Sequence, residues 1–354
     1  MTQAELTDRN VGQNLDDLMN LDPRGYGICR ILYPAARKLA REPLSIRFAK
    51  RLMAAAGEGD IVYILTGFVL PPHRCAETDG IIGSSLFARA LVLALGAKPV
   101  LIVPEECVNA AQKLAAAVGL HAYDTVEEAR AYPYSEAILP FTRDASKAEE
   151  RAEQILSMGK PAALVSSEAA GANSMGLYHN AGGIDVTDLE AKSDALYRLA
   201  QRTGIPTFSI GDLGNEMGMG AIADHLDRWI PRAARGFGER SIAADTSADI
   251  LLTATVSDWG MNAVIAALAY LKEDPDILHS AELQKDAMVA ASRAGMVNMY
   301  GDLNPAIDGF DVDFNQTVLH LMRRCIESAL KLRATCAPWF DAVRQAGYYE
   351  EYIE

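Results

Sequence analysis

The stretch Ile61–Leu65 (IVYIL), together with the glycine turn Thr66–Phe68 (TGF) that follows it, sets the pattern of this chain. Continuous apolar residues with β-branched members are typical of a strand that is covered on both faces. A stretch of helix length, Ser84–Leu95, comes next, and a second apolar run, Pro99–Val103, follows it. The three segments predict a strand, a helix and a parallel strand joined by a right-handed crossover.

The same alternation continues to about residue 271. Further runs of strand length are Glu136–Leu139, Ala162–Val165, Pro206–Ile210 and Ile250–Val256. Helix-like stretches between and after the runs are Cys107–Val118, Ala145–Met158, Leu189–Arg202, Ile222–Ile230 and Asn262–Leu271. The pattern predicts an α/β fold with a doubly wound, mostly parallel sheet and helices on both faces. The strand order stays open at this stage.

The two ends of the chain look different from the centre. Residues 1–59 predict an irregular lead-in with one helix, Ser45–Ala55, packed on the core. Residues 60–274 form the predicted α/β catalytic domain. Residues 275–354 predict a helical carboxyl-terminal extension of the same globule, with its clearest helix at Phe314–Arg333. Because this extension carries exposed-looking Met and Tyr residues, we expect a homo-oligomer.

Composition limits the possible partners. The chain has 354 residues, of which half are hydrophobic, and a formal charge of −14, so neither nucleic acid nor an anionic membrane surface is expected as a partner. The five cysteines are scattered without a CxxC pair, which is typical of free thiols in a reducing compartment. The start MTQAELTDRN lacks the features of a secretory signal, and no apolar run approaches the roughly 18 residues of a membrane span. We expect a cytoplasmic protein with a small-molecule substrate.

Acidic side chains follow the first of the predicted strands. Ligands of parallel α/β sheets bind at the carboxyl ends of the strands, where the strand-to-helix loops converge. After Thr66 and Gly67, this loop carries Arg74, Glu77 and Asp79. The two carboxylates are candidates for holding a hard cation or accepting protons. The alternative is that they only cap the next helix.

Two further loops carry single acids at their start. Glu168 lies where a buried strand meets its loop, an unfavourable place for an unpaired charge. It is a candidate catalytic residue, and a structural ion pair with an Arg is the alternative. After the Ile250 run, Asp258 and Trp259 open a helix. Trp259 is a candidate wall of a ligand pocket, whereas Asp258 either contacts the ligand or caps the helix.

The richest loop is the ten-residue segment 211–220, GDLGNEMGMG. Its four glycines allow backbone N–H groups to turn toward one point, which favours an anion such as a substrate carboxylate. Its acids and amide add oxygen ligands that suit Mg²⁺ or Mn²⁺. The residues predicted to act here are Asp212, Gly214, Asn215, Glu216 and Gly218.

Other site types are not indicated. Gly57–Gly59 precedes a strand instead of following one, so it is no dinucleotide fingerprint, and no GxxxxGK[ST] phosphate loop occurs. The six histidines contain no HExxH pair, and no GxSxG elbow is present. No nucleotide cofactor is therefore expected.

Four segments occur in the order seen in the D-glutamate cyclase family. They are TGF…ETDG at 66–80, the glycine-bearing loop at 176–183, GDLGNEMGMG at 211–220 and VSDWG at 256–260. From about Tyr63 to Ala267 the chain resembles the carboxyl-terminal catalytic-type domain of that family, as a divergent stand-alone bacterial-type member. It departs from the pattern at Leu213, where a glycine is usual, at Asp258, where Asn is usual, and at Ala169, where Arg commonly follows the glutamate. Arg74 or Arg240 is a candidate substitute for that cation.

The resemblance implies a lyase, more narrowly a hydro-lyase, that closes D-glutamate or a related amino dicarboxylate to 5-oxo-D-proline. For such a reaction, the candidate catalytic residues of this chain are Glu77, Glu168, Asp212 and Glu216. Mg²⁺ or Mn²⁺ would be held by Glu77, Asp79, Asp212 and Glu216. Substrate would be bound by Thr66, Gly67, Arg74, Gly214, Asn215, Gly218, Asp258 and Trp259. The alternatives are a hydrolase or dehydratase of another small amino acid, lactam or cyclic imide, and a non-catalytic carboxylate-binding sensor. All require Glu77 and Asp79 to lie beside Asp212 and Glu216.

Overall fold

The computed structural model describes residues 2–71, 73–230, 242–332 and 337–348. Arg240 lies outside these residues. The strands are β1 Ile61–Thr66, β2 Val69–Leu70, β3 Cys75–Ala76, β4 Lys98–Pro104, β5 His121–Tyr123, β6 Ser135–Phe141, β7 Ala163–Ser167, β8 Thr207–Gly211, β9 Ile250–Thr253, β10 Ala306–Ile307 and β11 Phe310–Asp311. The helices are α1 Gln3–Met19, α2 Ile28–Ala40, α3 Leu44–Ala55, α4 Ile81–Leu95, α5 Val108–Ala117, α6 Val126–Ala131, α7 Ala148–Met158, α8 Asp194–Arg202, α9 Ala223–Trp229, α10 Ser257–Leu271, α11 Ala281–Arg293, α12 Val312–Leu332 and α13 Ala337–Gln345.

Seven strands form one parallel sheet in the order β5-β6-β4-β1-β7-β8-β9. The predicted doubly wound α/β fold is confirmed. The chain builds outward from β1 through β4 and then returns to place β7 on the other side of β1, so the order reverses between β1 and β7. Such a switch point opens a crevice at the carboxyl ends of the strands. Edge strand β5 was not predicted, because three half-exposed residues carry no periodic signal.

Helices cover both faces of the sheet. One apolar core includes α3, α4 and α10, and a second, on the other face, includes α7 and α8. Every residue of α10 from Ser257 to Tyr270 is buried. A helix that is apolar all round belongs inside a protein, and α10 begins directly after β9. Its first turn is therefore fixed in the interior at the carboxyl edge of the sheet.

The amino-terminal region corrects one prediction: it contains α1, α2 and α3 instead of an irregular lead-in with one helix. A capping box between Thr2 and Glu5 begins α1, and its inner face buries Leu15 and Met19. The carboxylate of buried Asp16 accepts hydrogen bonds from the backbone of Leu44 at 2.6 Å and of Ser45 at 3.0 Å. The many acidic and amide residues of α1 obscured its narrow apolar stripe in the sequence.

The carboxyl-terminal region was predicted to be helical. It contains a short hairpin, β10–β11, as well as helices. Asp308 and Gly309 form its turn, with φ of 49° and 84°. Asp-Gly is the pair that such a two-residue turn favours, so a local signal for this hairpin was present in the sequence.

Two other expectations concern the cysteines and membrane-spanning segments. Cys29, Cys75, Cys107 and Cys325, the cysteines within the described ranges, are free thiols. Among the same residues, no helix combines the length and the apolar character that crossing a membrane requires.

Candidate active site

Buried acids from different loops meet at the carboxyl ends of β1, β7 and β8. One carboxylate oxygen each of Asp79, Glu168 and Asp212 lies within 4.8 Å of the others. Asp79 lies just before α4, Glu168 directly after β7 and Asp212 directly after β8. The strands β1, β7 and β8 are neighbours in the sheet. Asp79 and Asp212 are thus side by side although 133 positions separate them (212 minus 79). The central requirement of the sequence analysis is met for this pair.

Asp79 also ties its own loop to the start of α10. Its Oδ1 accepts hydrogen bonds from the backbone N–H groups of Gly80 and Asp258, both at 2.9 Å, and its Oδ2 accepts one from Ser257 at 3.1 Å. An acid here satisfies the free N–H groups of a helix amino terminus. The capping alternative is therefore partly right, but the helix that Asp79 caps is α10 rather than α4.

Glycines let α4 approach these acids closely. At Gly80, with φ of 83°, a Cβ atom would lie 2.4 Å from Cβ of Glu168. At Gly83 it would lie 2.3 Å from Oδ1 of Asp258. Any side chain at either position would force the acids apart, which explains the glycine in ETDG and the one three residues later.

Glu168 has a strained backbone conformation. Its φ is 45°, in the left-handed region that a residue with a side chain seldom adopts. Its Oε2 accepts a hydrogen bond of 2.6 Å from the hydroxyl of Ser257. No Arg or Lys within the described parts of the chain forms an ion pair with Glu168. The structural ion pair that we considered as an alternative is absent there.

Glu216 shapes the loop after β8. Its Oε1 accepts hydrogen bonds from the N–H groups of Asp212 and Leu213, and its Oε2 accepts one from Gly214 at 2.7 Å. Its carboxylate is thus committed to its own loop, and Glu216 is not in the group of three acids. The geometry favours a loop-forming role over the predicted catalytic and metal-binding roles.

The glycines of the same loop are used inside the protein. The N–H of Gly214 donates to Glu216, and that of Gly218 donates to the hydroxyl of Thr246 at 2.9 Å. These donors therefore do not point at a substrate, which corrects the predicted anion-binding role of the two glycines. By contrast, Oδ1 of Asp212 and Oδ1 of Asn215 are buried without a hydrogen-bond partner in the described structure. These two oxygens remain open to a ligand.

Trp259 is a core residue. It is fully buried, its ring stacks on Phe314 at 5.7 Å between centroids, and its Nε1 donates to Asn315 at 2.8 Å. The prediction that it forms a pocket wall is wrong, because a Trp in the first turn of a wholly buried helix faces the core. Asp258, in contrast, contacts the site: its Oδ1 accepts a 2.8 Å hydrogen bond from Gly80.

The four remaining candidates in the first loop differ in position. Glu77 is buried and its charge acts on Glu168, but it is not in the group of three acids. Thr66 is buried, and its hydroxyl has no partner within the described residues although it adjoins Gly80. Gly67 adopts φ of 104° and packs against Pro104. Arg74 is exposed at a turn of the β2–β3 hairpin, where its N–H donates to Leu70. It is not brought into the buried group of acids.

Two site residues were missed, Arg24 and Asp308. They form an ion pair of 2.6 Å, with side chains 10% and 6% exposed, and Arg24 also donates to the carbonyl of Thr255 at 2.8 Å. The charge of Arg24 acts on Asp212 and Asp79. Arg24 lies in the segment that was expected to be an irregular lead-in. Asp308 precedes a glycine, and this Asp-Gly pair indicates only a turn. Nothing in the sequence linked either to the site.

Burial has the largest influence on the pKa values of the acids in the site. It raises the pKa of Glu77, Asp79, Glu168, Asp212 and Asp258, and the mutual repulsion of the acids raises most of these values further. The pKa of Asp308 rises to about 8 for the same reasons, although Arg24 opposes the shift. A group of this kind does not ionise fully near neutral pH without a compensating cation. The site is therefore built to hold protons, a metal ion or a substrate ammonium group.

Comparison with known proteins agrees with this picture. The family model for the carboxyl-terminal region of D-glutamate cyclase-like proteins matches residues 15–323. The chain belongs to this family. The match is wider than the expected Tyr63–Ala267, and it includes Arg24 and Asp308.

A curated relative is the human protein named D-glutamate cyclase, mitochondrial. It is 29% identical over 289 residues, which cover 80% of this chain and 42% of the relative. The aligned part is less than half the length of that protein. Its name gives a mitochondrial location, and the cytoplasmic location expected for this chain stays a prediction.

Proposed function

We propose that this chain closes D-glutamate to 5-oxo-D-proline with loss of water. The observation that carries the proposal is the group Asp79, Glu168 and Asp212, gathered at the carboxyl edge of the sheet in a member of the D-glutamate cyclase-like family. The family supports a lyase-type enzyme with a small-molecule substrate, and D-glutamate is the substrate that the relative's name suggests.

The reaction makes one C–N bond and breaks one C–O bond. Two protons leave the ammonium nitrogen and reach the departing carboxylate oxygen, which leaves as water. Asp212 is the best candidate to carry them. Its Oδ1 is buried without a partner in the described structure, and burial followed by the charge of Glu168 raises its pKa. A carboxylate with a raised pKa is a better proton acceptor near neutral pH.

The closed shape of the site supplies a second contribution. Asp79, Glu168, Asp212 and Glu216 are at most 6% exposed, so a substrate bound among them is shielded from water. Holding the flexible amino acid with its nitrogen against the carbon of the γ-carboxylate favours closure, and such intramolecular geometry contributes on the order of 7 kcal/mol. Thr66 and Asn215 carry unpaired oxygens that can orient the ammonium group.

The donor set also fits Mg²⁺ or Mn²⁺. Three carboxylate oxygens within 4.8 Å of one another match the preference of these ions for oxygen ligands. Asp79, Glu168 and Asp212 would hold the ion, so Glu168 takes the place that we had predicted for Glu216 and Glu77. A bound divalent cation would neutralise the cluster and polarise the γ-carboxylate.

The test is an assay of purified protein with D-glutamate, L-glutamate and small lactams, each with and without Mn²⁺. We expect 5-oxo-D-proline from D-glutamate, detected by chiral chromatography. Consumption of a lactam without cyclisation of D-glutamate would instead establish a hydrolase. Tight binding of D-glutamate without any product would establish a sensor, and either result contradicts the proposal.

A further inference from the structure

D-Glutamate presents a problem to a pocket lined with acids. It carries two carboxylates, of which the γ-carboxylate reacts and the α-carboxylate persists in the product. The second charge would be repelled by Asp79, Asp212 and their neighbours unless a fixed cation faces it. The exposed Arg74 does not lie among the acids and does not supply that cation.

Arg24 lies in the right place. It donates through Nη2 to the carbonyl of Thr255, two residues before Ser257, whose hydroxyl and N–H hold Glu168 and Asp79. Arg24 is therefore attached to the same turn that organises the acids. Its charge acts on Asp212 and Asp79, which places it within electrostatic reach of the reacting end of a substrate.

Part of the guanidinium is still available. A guanidinium has five N–H donors. Nη1 of Arg24 donates to one oxygen of Asp308 at 2.6 Å and to Sδ of Met299 at 3.6 Å, so the pair with Asp308 is not a bidentate one. Nε is buried and has no hydrogen-bond partner in the part of the chain that the structure describes. A second carboxylate can therefore pair with the edge of Arg24 that Asp308 leaves open.

The surroundings hold this side chain in position. The guanidinium carbon lies 5.1 Å from the ring centroid of Tyr26 and 5.4 Å from that of Phe310. Such rings fix the plane of a guanidinium and leave its edges free. Tyr26 is 58% exposed, whereas the Arg24 side chain is 10% exposed, so Arg24 is covered by a residue that itself faces solvent.

On the basis of the proposed function, we propose that Arg24 binds the α-carboxylate of the substrate. The rival explanation is that Arg24 and Asp308 only fasten the α1–α2 loop to the β10–β11 hairpin. The two explanations differ in what Asp308 does. If the pair only joins the two segments, Asp308 is as necessary as Arg24. If Arg24 binds the substrate through its open edge, Asp308 is not needed for binding, and its negative charge only weakens the attraction of Arg24 for the substrate carboxylate.

The test compares two ligands that differ by this carboxylate, 5-oxo-D-proline and 2-pyrrolidinone, by calorimetry. We expect wild-type protein to bind 5-oxo-D-proline at least about tenfold more tightly, a typical value for one charged hydrogen-bonded pair. Arg24→Gln should abolish the preference, and Asp308→Asn should retain or increase it. Arg323→Gln, which removes a similar contact to Asp276 and the Leu278 carbonyl, is the control and should leave the preference unchanged.

Three results would overturn the inference: no preference in the wild type, a preference that survives Arg24→Gln, or equal loss in Arg24→Gln and Asp308→Asn. Thermal unfolding of each variant identifies loss of fold, and Asp308→Asn, which keeps the cation, carries the test if Arg24→Gln does not fold. The readout is binding, so it is independent of turnover. A wild type that prefers 5-oxo-D-proline but makes none from D-glutamate would retain the inference and refute the proposed function.

Discussion

Acidic residues follow the strands in both halves of the sheet, but they differ in how deeply they are buried. After β4 and β6, Glu106 and Arg143 form an ordinary ion pair of 3.2 Å, with side chains 27% and 46% exposed. After β7 and β8, Glu168 and Asp212 are buried, and neither forms an ion pair within the described residues. Both halves place acids in strand-to-helix loops. Burial and the convergence of several acids, rather than their number, distinguish the candidate site.

The largest effect should come from Asp212→Asn. Removing a carboxylate that carries the protons should lower kcat at least 10²-fold, with a smaller change in KM. Glu106→Gln, in the other half of the sheet, should stay within about twofold of the wild type because its pair is exposed. Activity of Asp212→Asn within about threefold of the wild type would exclude the proposed role.

Removing metal should have the next largest effect. Three buried acids without a cation repel one another, so chelation and dialysis should reduce activity by about tenfold or more, and added Mn²⁺ should restore it. Calorimetry should detect Mn²⁺ binding to the wild type and its loss in Glu168→Gln. Full activity after chelation and dialysis would remove the cation from the mechanism.

A buried acid in the other half of the sheet sharpens the comparison through stability. Glu136 in β6 is fully buried, neither of its oxygens has a hydrogen-bond partner in the described structure, and burial raises its pKa to about 8. Between the unfolded pKa of about 4.3 and this value, the folded protein binds a proton that the unfolded chain releases. The metal-free protein should therefore lose stability as the pH rises from about 5 to 8.

Glu136→Gln should remove part of this pH dependence. At pH 8 we expect it to raise the free energy of unfolding by roughly 1 to 3 kcal/mol, since each pKa unit corresponds to about 1.4 kcal/mol. Urea unfolding at pH 5, 6.5 and 8 measures the effect. An unchanged slope of stability against pH would show that Glu136 is not the proton-binding group, while activity should be unaffected.

The smallest effect should come from Asp258→Asn. Burial and then the charge of Asp79 raise the pKa of Asp258, which favours the neutral form of its carboxyl. An amide has the same shape and also donates, so kcat/KM should stay within about threefold near neutral pH. A loss of 10²-fold or more would mean that Asp258 acts as an ionised carboxylate.

These contrasts show what local sequence can predict. Runs such as Ile61–Leu65 predicted the α/β fold, because continuous apolar strands require cover on both faces. The loops with Asp79, Glu168 and Asp212 were found because β1, β7 and β8 end directly before or near them. That these strands are neighbours depends on strand order, which no local pattern encodes.

The residues that were missed or misplaced depend on contacts distant in the chain. Arg24 meets Asp308, 284 positions away, through packing of the two flanks. The position of Trp259 at a loop mouth predicts a pocket wall, but α10 turns its ring onto Phe310 and Phe314. The sequence does not distinguish a metal-binding role for Glu216 from a structural one. The structure does, because both carboxylate oxygens accept hydrogen bonds from N–H groups of its own loop.

A crystal structure with 5-oxo-D-proline and Mn²⁺ bound tests the central claim most directly. We predict one lactam among the loops that follow β1, β7 and β8, with its carboxylate at Arg24 and the ion held by Asp79, Glu168 and Asp212. A ligand bound at any other place on the molecule, or a site that stays empty at a concentration shown by calorimetry to saturate the protein, would contradict it.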